Sequence, residues 1–251
     1  MRYFFEVSYK GTKYAGFQVQ QNANTIQAEV EKVLQVYFKK PIPLTGSSRT
    51  DAGVHALQNY FHGDVEDAIE PTVLYNLNAM LPPDIVLKRI PPVTQEAHCR
   101  FDALAREYHY YIYSSKDPFM LDRGYFYPYH LNLDSLNNAA TTILSNTNFE
   151  AFSKKNAQVK THICNIVKSE WVQEPGCLVY KVKANRFLRG MVRALVATML
   201  RVGRNKLSLE QFSSVFTTTT EDNLLVDFAS PPQGLFLASV TYPQELFKAH
   251  P

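Results

Sequence analysis

Residues Ser47 to Ala56 read SSRTDAGVHA, and within that span Arg49, Asp51 and His55 stand among hydroxyls and glycine with almost nothing apolar to bury. An ordered turn accounts for part of this: Gly46 and Gly53 permit unusual backbone angles, Ser and Thr cap, and Asp51 bonds nearby amides. A chemical account explains what the turn does not, because Arg49 lies two residues before Asp51 in a loop that gives the charges no structural reason to be held together. A carboxylate beside a guanidinium stays ionised and can act as a nucleophile. Taken alone, the ten residues favour the turn at least as much as the chemistry.

A second group of charges lies between Arg186 and Arg204. If that stretch winds as one helix at about 100° per residue, Arg186, Arg189, Arg193, Arg201 and Arg204 share one sector, and Phe187, Leu188, Met191, Val192, Leu195, Met199 and Val202 fill the opposite side. The ordinary explanation of a charged stripe is a solvated face. Here no acid interrupts it and Gly190 leaves a gap beside the arginines, which suits a polyanion or one buried carboxylate instead. Cys99, Cys164 and Cys177 form no C-x-x-C pair, so neither a disulfide scaffold nor a zinc site is expected, and free thiols fit a reducing compartment. His55 and His62 are read as structural, with no metal-ligand set.

The elements that must position these residues follow from periodicity. Tyr3, Phe5, Val7 and Tyr9 alternate with more polar neighbours as a strand, which a turn at Lys10-Gly11-Thr12 ends. Asn24 and Gln27 form a capping pair for a helix carrying Ile26, Val30, Val33, Leu34 and Tyr37, which stops before Pro41. A strand leaves SSRTDAGVHA directly through Leu57 to His62. A second helix spans Pro71 to Leu81, stopped by Pro82-Pro83, and Ile85 to Leu87 makes a further strand. From Arg106 the pattern restarts: REYHYYIY is a strand, Leu133 to Leu144 a helix, and Ile163 to Val172 with Cys177 to Ala184 a hairpin. The long arginine-bearing helix, a short one opened by Ser208, and a closing strand at Leu235 to Tyr242 complete the chain. The expectation is α+β, in two halves at 1–104 and 105–251, whose mostly antiparallel sheets carry helices on one face.

Composition sets the outer limits. A chain of 251 residues, 45% hydrophobic and 20% charged with 16 Phe and 15 Tyr, is an ordered globular protein that can bury a core without metal or disulfide. Its net charge of +3 permits a nucleic-acid partner without demanding one. The start MRYFFEVSYK holds no long apolar run, and nothing later approaches the roughly 20 apolar residues of a membrane span. The expected setting is the cytoplasm, with no membrane partner.

The stretch SSRTDAGVHA resembles the G-R-T-D-A-G-V-H-A signature of the TruA family of tRNA pseudouridine synthases. The likeness extends along the chain: YKGTKYAGFQVQ and TIQAEVEKVL are similar to the family's first strand, loop and helix, HCRFDALAREYHYYIY to its second motif, FLRGMVRALVATMLRVG to its arginine-bearing helix, and GLFLASVTYP to its last strand. Ordered matches run from residue 3 to residue 243. Three positions depart from the family pattern: Ser48 stands for the usual glycine, Phe17 for tryptophan, and Val19 where arginine is common.

The resemblance implies two ferredoxin-like halves with abutting sheets, the pseudouridine synthase fold, and an active-site cleft between them that holds Asp51. It implies isomerisation of uridine to pseudouridine in the anticodon stem-loop of tRNA, without cofactor or metal, by a homodimer in which one tRNA touches both subunits. Asp51 falls on the catalytic aspartate and would attack either ribose C1′ or base C6. Arg49 matches the arginine that helps flip the base from its stack, Tyr108 the active-site tyrosine, and Arg193 the basic partner of the aspartate. Arg186 and Arg189 would meet phosphate, and Leu235 would line the uracil pocket. Two rival readings differ from this one. A non-catalytic RNA-binding module would tolerate Asp51→Asn, and a phosphoryl transferase would need an acid pair for metal or a Gly-rich phosphate loop, neither of which is evident.

Overall fold

The computed structural model describes residues 1–154, 160–217 and 225–247. In chain order the regular elements are β1 (Arg2–Tyr9), α1 (Ile26–Phe38), β2 (Thr45–Gly46), β3 (His55–Asp64), α2 (Pro71–Met80), β4 (Ile85–Arg89), β5 (Pro92–Val93), β6 (Ala105–Tyr113), β7 (Tyr125–Phe126), α3 (Leu133–Leu144), β8 (Ile166–Glu174), β9 (Cys177–Ala184), α4 (Met191–Gly203), α5 (Leu209–Ser214) and β10 (Leu235–Thr241). The class is α+β. Two compact units divide the chain: Met1–Leu104 with Phe236–Pro251, and Ala105–Leu235.

In the first unit β1 pairs antiparallel with β3 on one side and β4 on the other. Because it is central, β1 buries both faces: Tyr3, Phe4, Phe5, Glu6, Val7 and Tyr9 are all buried, so its alternation in sequence reports two covered faces rather than one. The first helix is capped by Thr25, whose hydroxyl accepts the Ala28 amide at 3.3 Å; the expected cap at Asn24 is one residue early. The closing strand joins this unit, since Phe236 and Leu237 pair in parallel with His55 and Ala56 of β3. Gln58 of β3 accepts the Val240 amide at 3.0 Å. Residues 236–247, read in sequence as part of the second half, therefore pack with the first.

Within this core Glu6 is buried and takes hydrogen bonds from Gln58 Nε2 at 3.0 Å, Tyr60 Oη at 2.8 Å and the Arg89 guanidinium. Burial works to raise its pKa, but the bonds from Arg89, Gln58 and Tyr60 more than offset that and hold the carboxyl below its ordinary range. A buried carboxylate with three donors is stable where an unpaired one would not be.

In the second unit β6, β9 and β8 form an antiparallel sheet, with β7 parallel to β6 and α3 packed against β8. Trp171 and Tyr180 face each other across β8 and β9 with ring centres 5.1 Å apart, and Trp171 Nε1 donates to the buried Met199 Sδ at 3.4 Å. The two units share one device. Asn137 of α3 accepts the Trp171 amide at 2.8 Å and donates to its carbonyl at 3.1 Å, and Asn78 of α2 does the same for Leu87 of β4 at 2.9 and 2.8 Å. In each unit a helix asparagine satisfies the main-chain groups of the strand at the end of the sheet path, which would otherwise be an open edge.

His62 is buried in β3 beside Cys99, its Nδ1 3.2 Å from Sγ. Burial first, and then the charges of His98 and Arg2, push its pKa down to about 4. It is neutral in the fold and titrates near the ordinary ~6.5 when unfolded, so protons favour the unfolded chain as pH falls from ~6.5 towards 4. Stability present above that window is lost within it. Urea unfolding at about pH 7 and about pH 5 checks this: the wild type loses more stability between the two than His62→Gln does. Equal losses contradict the assignment.

Candidate active site

The hydroxyl-rich half of SSRTDAGVHA is consumed by the fold. Ser47, Ser48 and Thr50 are buried. Ser47 Oγ accepts from Tyr242 Oη at 2.9 Å and its amide donates to the Tyr60 carbonyl at 2.8 Å. Asn59 Nδ2 donates to the Ser48 carbonyl at 2.9 Å. Thr50 Oγ1 shares a hydrogen bond with Tyr9 Oη at 2.7 Å. Between these anchors Arg49 is exposed and Asp51 is half-buried. The chain then turns, with the Val54 amide donating to the Asp51 carbonyl at 3.2 Å and Gly53 at φ +78°. Gly46 contributes by close approach instead, because a Cβ there would lie 2.5 Å from the Phe17 ring.

A second loop, residues 11–18, braces the first. The Phe17 amide donates to the Thr50 carbonyl at 3.1 Å, and the Gly53 amide to the Tyr14 carbonyl at 3.4 Å. Gly11 donates its amide to His55 Nδ1 at 3.0 Å, which makes His55 a buried structural residue and fixes that nitrogen as an acceptor. Gly16 adopts φ +112°, and an added Cβ would meet the Thr50 carbonyl oxygen at 3.0 Å and the backbone of Asp51 and Ala52 just beyond. Phe17, 1% exposed, stacks on Phe61 with ring centres 4.3 Å apart and planes 8° from parallel. The sequence shows YKGTKYAGFQ as a motif but gives no sign that it grips SSRTDAGVHA, because contacts between loops leave no periodicity.

The remaining sequence-derived site residues lie in the second unit. Tyr108 is half-buried on β6, its ring edge-on to Phe187 at 5.1 Å. Its neighbour Tyr110 is fully buried, donates to the Pro231 carbonyl at 2.8 Å, and has its phenol pushed up by burial. Arg193 lies in the first turn of α4. Its Nε donates to the Ser230 carbonyl at 2.7 Å while Ser230 Oγ donates back to the Arg193 carbonyl at 2.8 Å. The first bond restrains the guanidinium, and the second ties Ser230 to the Arg193 main chain. Leu235 is buried at the start of β10.

The expected five-arginine helix is corrected. Gly190 sits at φ +77° as the N-cap of α4, so Arg186 and Arg189 precede the helix and occupy an irregular turn. Arg201 donates to the Leu225 carbonyl at 2.6 Å, and Arg204 lies 3.7 Å from the centre of the Tyr129 ring. The last two arginines therefore serve the fold of their own unit. Winding the sequence uniformly overlooked that a left-handed glycine ends helical geometry on its N-terminal side.

Comparison with known proteins adds independent information. Residues 7–102 and 139–243 match a family model described as tRNA pseudouridine synthase. The tRNA pseudouridine synthase A of Parabacteroides distasonis is 41% identical over 248 residues, covering 98% of each chain. That of Bacteroides thetaiotaomicron is 41% identical over 252 residues, covering 98% of this chain and 92% of its own. The Staphylococcus aureus protein of that name is 35% identical over 243 residues, covering 96% and 90%.

The brace between the loops yields a specific expectation. Gly16→Ala forces a side chain into a left-handed backbone against Thr50, which costs about 1–3 kcal/mol. Thermal unfolding and turnover should both fall. An unchanged melting temperature contradicts the bracing.

Proposed function

The chain belongs to the tRNA pseudouridine synthase family as an isomerase of the TruA type, and on that premise we propose that it converts uridine to pseudouridine in the anticodon stem-loop of tRNA with the Asp51 carboxylate as nucleophile. The observation that carries this reading is the loop 47–55 itself. The Ser47 and Thr50 hydroxyls and much of its backbone are engaged by the fold, while Arg49 stands exposed and Asp51 half-buried beside it. A loop built only to turn would not need two opposite charges on so firmly held a backbone.

Uridine and pseudouridine are isomers, so the reaction needs no oxidant, reductant or group donor. The C1′–N1 bond breaks and a C1′–C5 bond forms. N1 gains a proton and C5 gives one up. The Asp51 carboxylate bonds covalently to the nucleotide in between, which divides one difficult displacement into two easier ones. Arg49 fills the space left by the flipped base or holds its phosphate. Tyr108 stacks on the uracil and its hydroxyl assists removal of the C5 proton. Arg193, restrained by the Ser230 carbonyl, keeps the nucleophile ionised. Arg186 and Arg189 meet phosphate, and Leu235 gives the base an apolar wall. The working form is a homodimer in the cytoplasm: pairing doubles the modest net charge of +3, which strengthens the hold on a polyanion.

Mapping tests the assignment of target. An unmodified tRNA transcript incubated with the protein, labelled with carbodiimide and read by primer extension, gains pseudouridine in the anticodon stem-loop. Modification confined to another arm, or none at all, contradicts the proposal.

A further inference from the structure

A concavity of about 170 Å³ opens in the first unit, where Phe17, Gly46 and Arg49 meet His98, Arg100 and Phe101. No acidic side chain lines it. Two carboxylates that touch its lining residues are engaged there: Asp102 accepts the His98 amide at 2.7 Å, and Glu31 accepts the Leu44 amide and Gln27 Nε2, each at 2.8 Å. His98 Nδ1 faces the amides of Arg100 and Phe101 at 3.2 and 3.4 Å, so the proton sits on Nε2, which can donate. Arg49, Arg100 and His98 thus line a hollow to which no acidic side chain contributes.

The rim adds an aromatic surface. Phe101 is 73% exposed, backed by the His98 ring at 4.2 Å, with the Arg100 guanidinium 5.6 Å from its centre. An exposed, backed ring beside cations is the arrangement on which unpaired bases stack while their phosphates are neutralised. The hollow is smaller than the ~300–1,000 Å³ of sites that enclose a whole small molecule. It suits one sugar–phosphate unit of a longer strand better than a free nucleotide.

We propose that this hollow is a second nucleotide site, which takes one unpaired nucleotide of the RNA substrate with its phosphate between Arg49 and Arg100 and its base on Phe101. Arg49 joins it to the reacting site, since Asp51 lies two residues further along the same loop. The inference rests on the reading of the chain as a tRNA-modifying enzyme and assigns where a nucleotide other than the target is held.

Anisotropy titration of the full chain with unmodified, dye-labelled tRNA tests it, with melting temperatures recorded for every variant. Phe101→Ala weakens binding about tenfold and Phe101→Trp restores it, as stacking requires. Arg100→Gln lowers the slope of log affinity against log salt by about one, as loss of one phosphate contact requires. Wild-type affinity and salt slope in both Phe101→Ala and Arg100→Gln overturn the site. Saturable binding of uridine monophosphate that Phe101→Ala abolishes, with tRNA affinity unmoved, assigns a free nucleotide and also overturns it. If the wild type modifies tRNA while the variants bind normally, only this inference fails; if the wild type neither binds nor modifies tRNA, the parent reading fails first.

Discussion

A loop can hold a carboxylate and a guanidinium at a working surface only if something else satisfies its backbone, and here that task falls to residues 11–18. The amides of Phe17 and Gly11 and the carbonyl of Tyr14 reach across to Thr50, His55 and Gly53, and the left-handed Gly16 lets the two backbones come together. Beneath them the Phe17–Phe61 stack and the Tyr9–Thr50 hydrogen bond tie both loops to β1 and β3. Without that brace the loop would carry unsatisfied polar groups against a core, at about 1–3 kcal/mol each. The uncharged residues hold the structure, and on the proposed reading the charged ones serve the chemistry.

Rigidity of this kind has a functional meaning. A nucleophile gains rate when its geometry is fixed before the substrate arrives. In the second unit the same logic governs Arg193, whose guanidinium is restrained by its Nε bond to the Ser230 carbonyl, and Tyr108, whose ring rests against Phe187. In both units supporting residues hold the proposed reactive ones in one orientation. The asparagines Asn78 and Asn137 bind the main chain of Leu87 and Trp171 on the strands they cover.

Much of the fold was legible because periodicity reports burial directly. The helix from Leu133 to Leu144 has the bounds that its apolar spacing indicates, and Ser208 with Gln211 forms the capping box that opens α5. Two of the errors share one physical origin, a local decision by a single residue. Thr25 rather than Asn24 took the cap, and Gly190 adopted a left-handed conformation that shortened the arginine helix. Parallel pairing of β10 with β3 placed the end of the chain in the first unit, which strand pattern alone does not encode. Within the site, Arg49 and Asp51 were visible because charge in a loop stands out. The brace and the hollow at Phe101 were not, since they unite segments as far apart as Phe17 and Phe101 whose contacts leave no pattern along the chain.

The central claim is that this firmly held loop exists to present Asp51 as a nucleophile to uridine. Forming pseudouridine must expel the hydrogen at C5, so tritium release from unmodified tRNA labelled at C5 of uridine tests it most directly. Wild-type protein should release the label, and Asp51→Ala should release none while binding the same tRNA and melting at nearly the wild-type temperature. Release by Asp51→Ala at the wild-type rate would contradict the account.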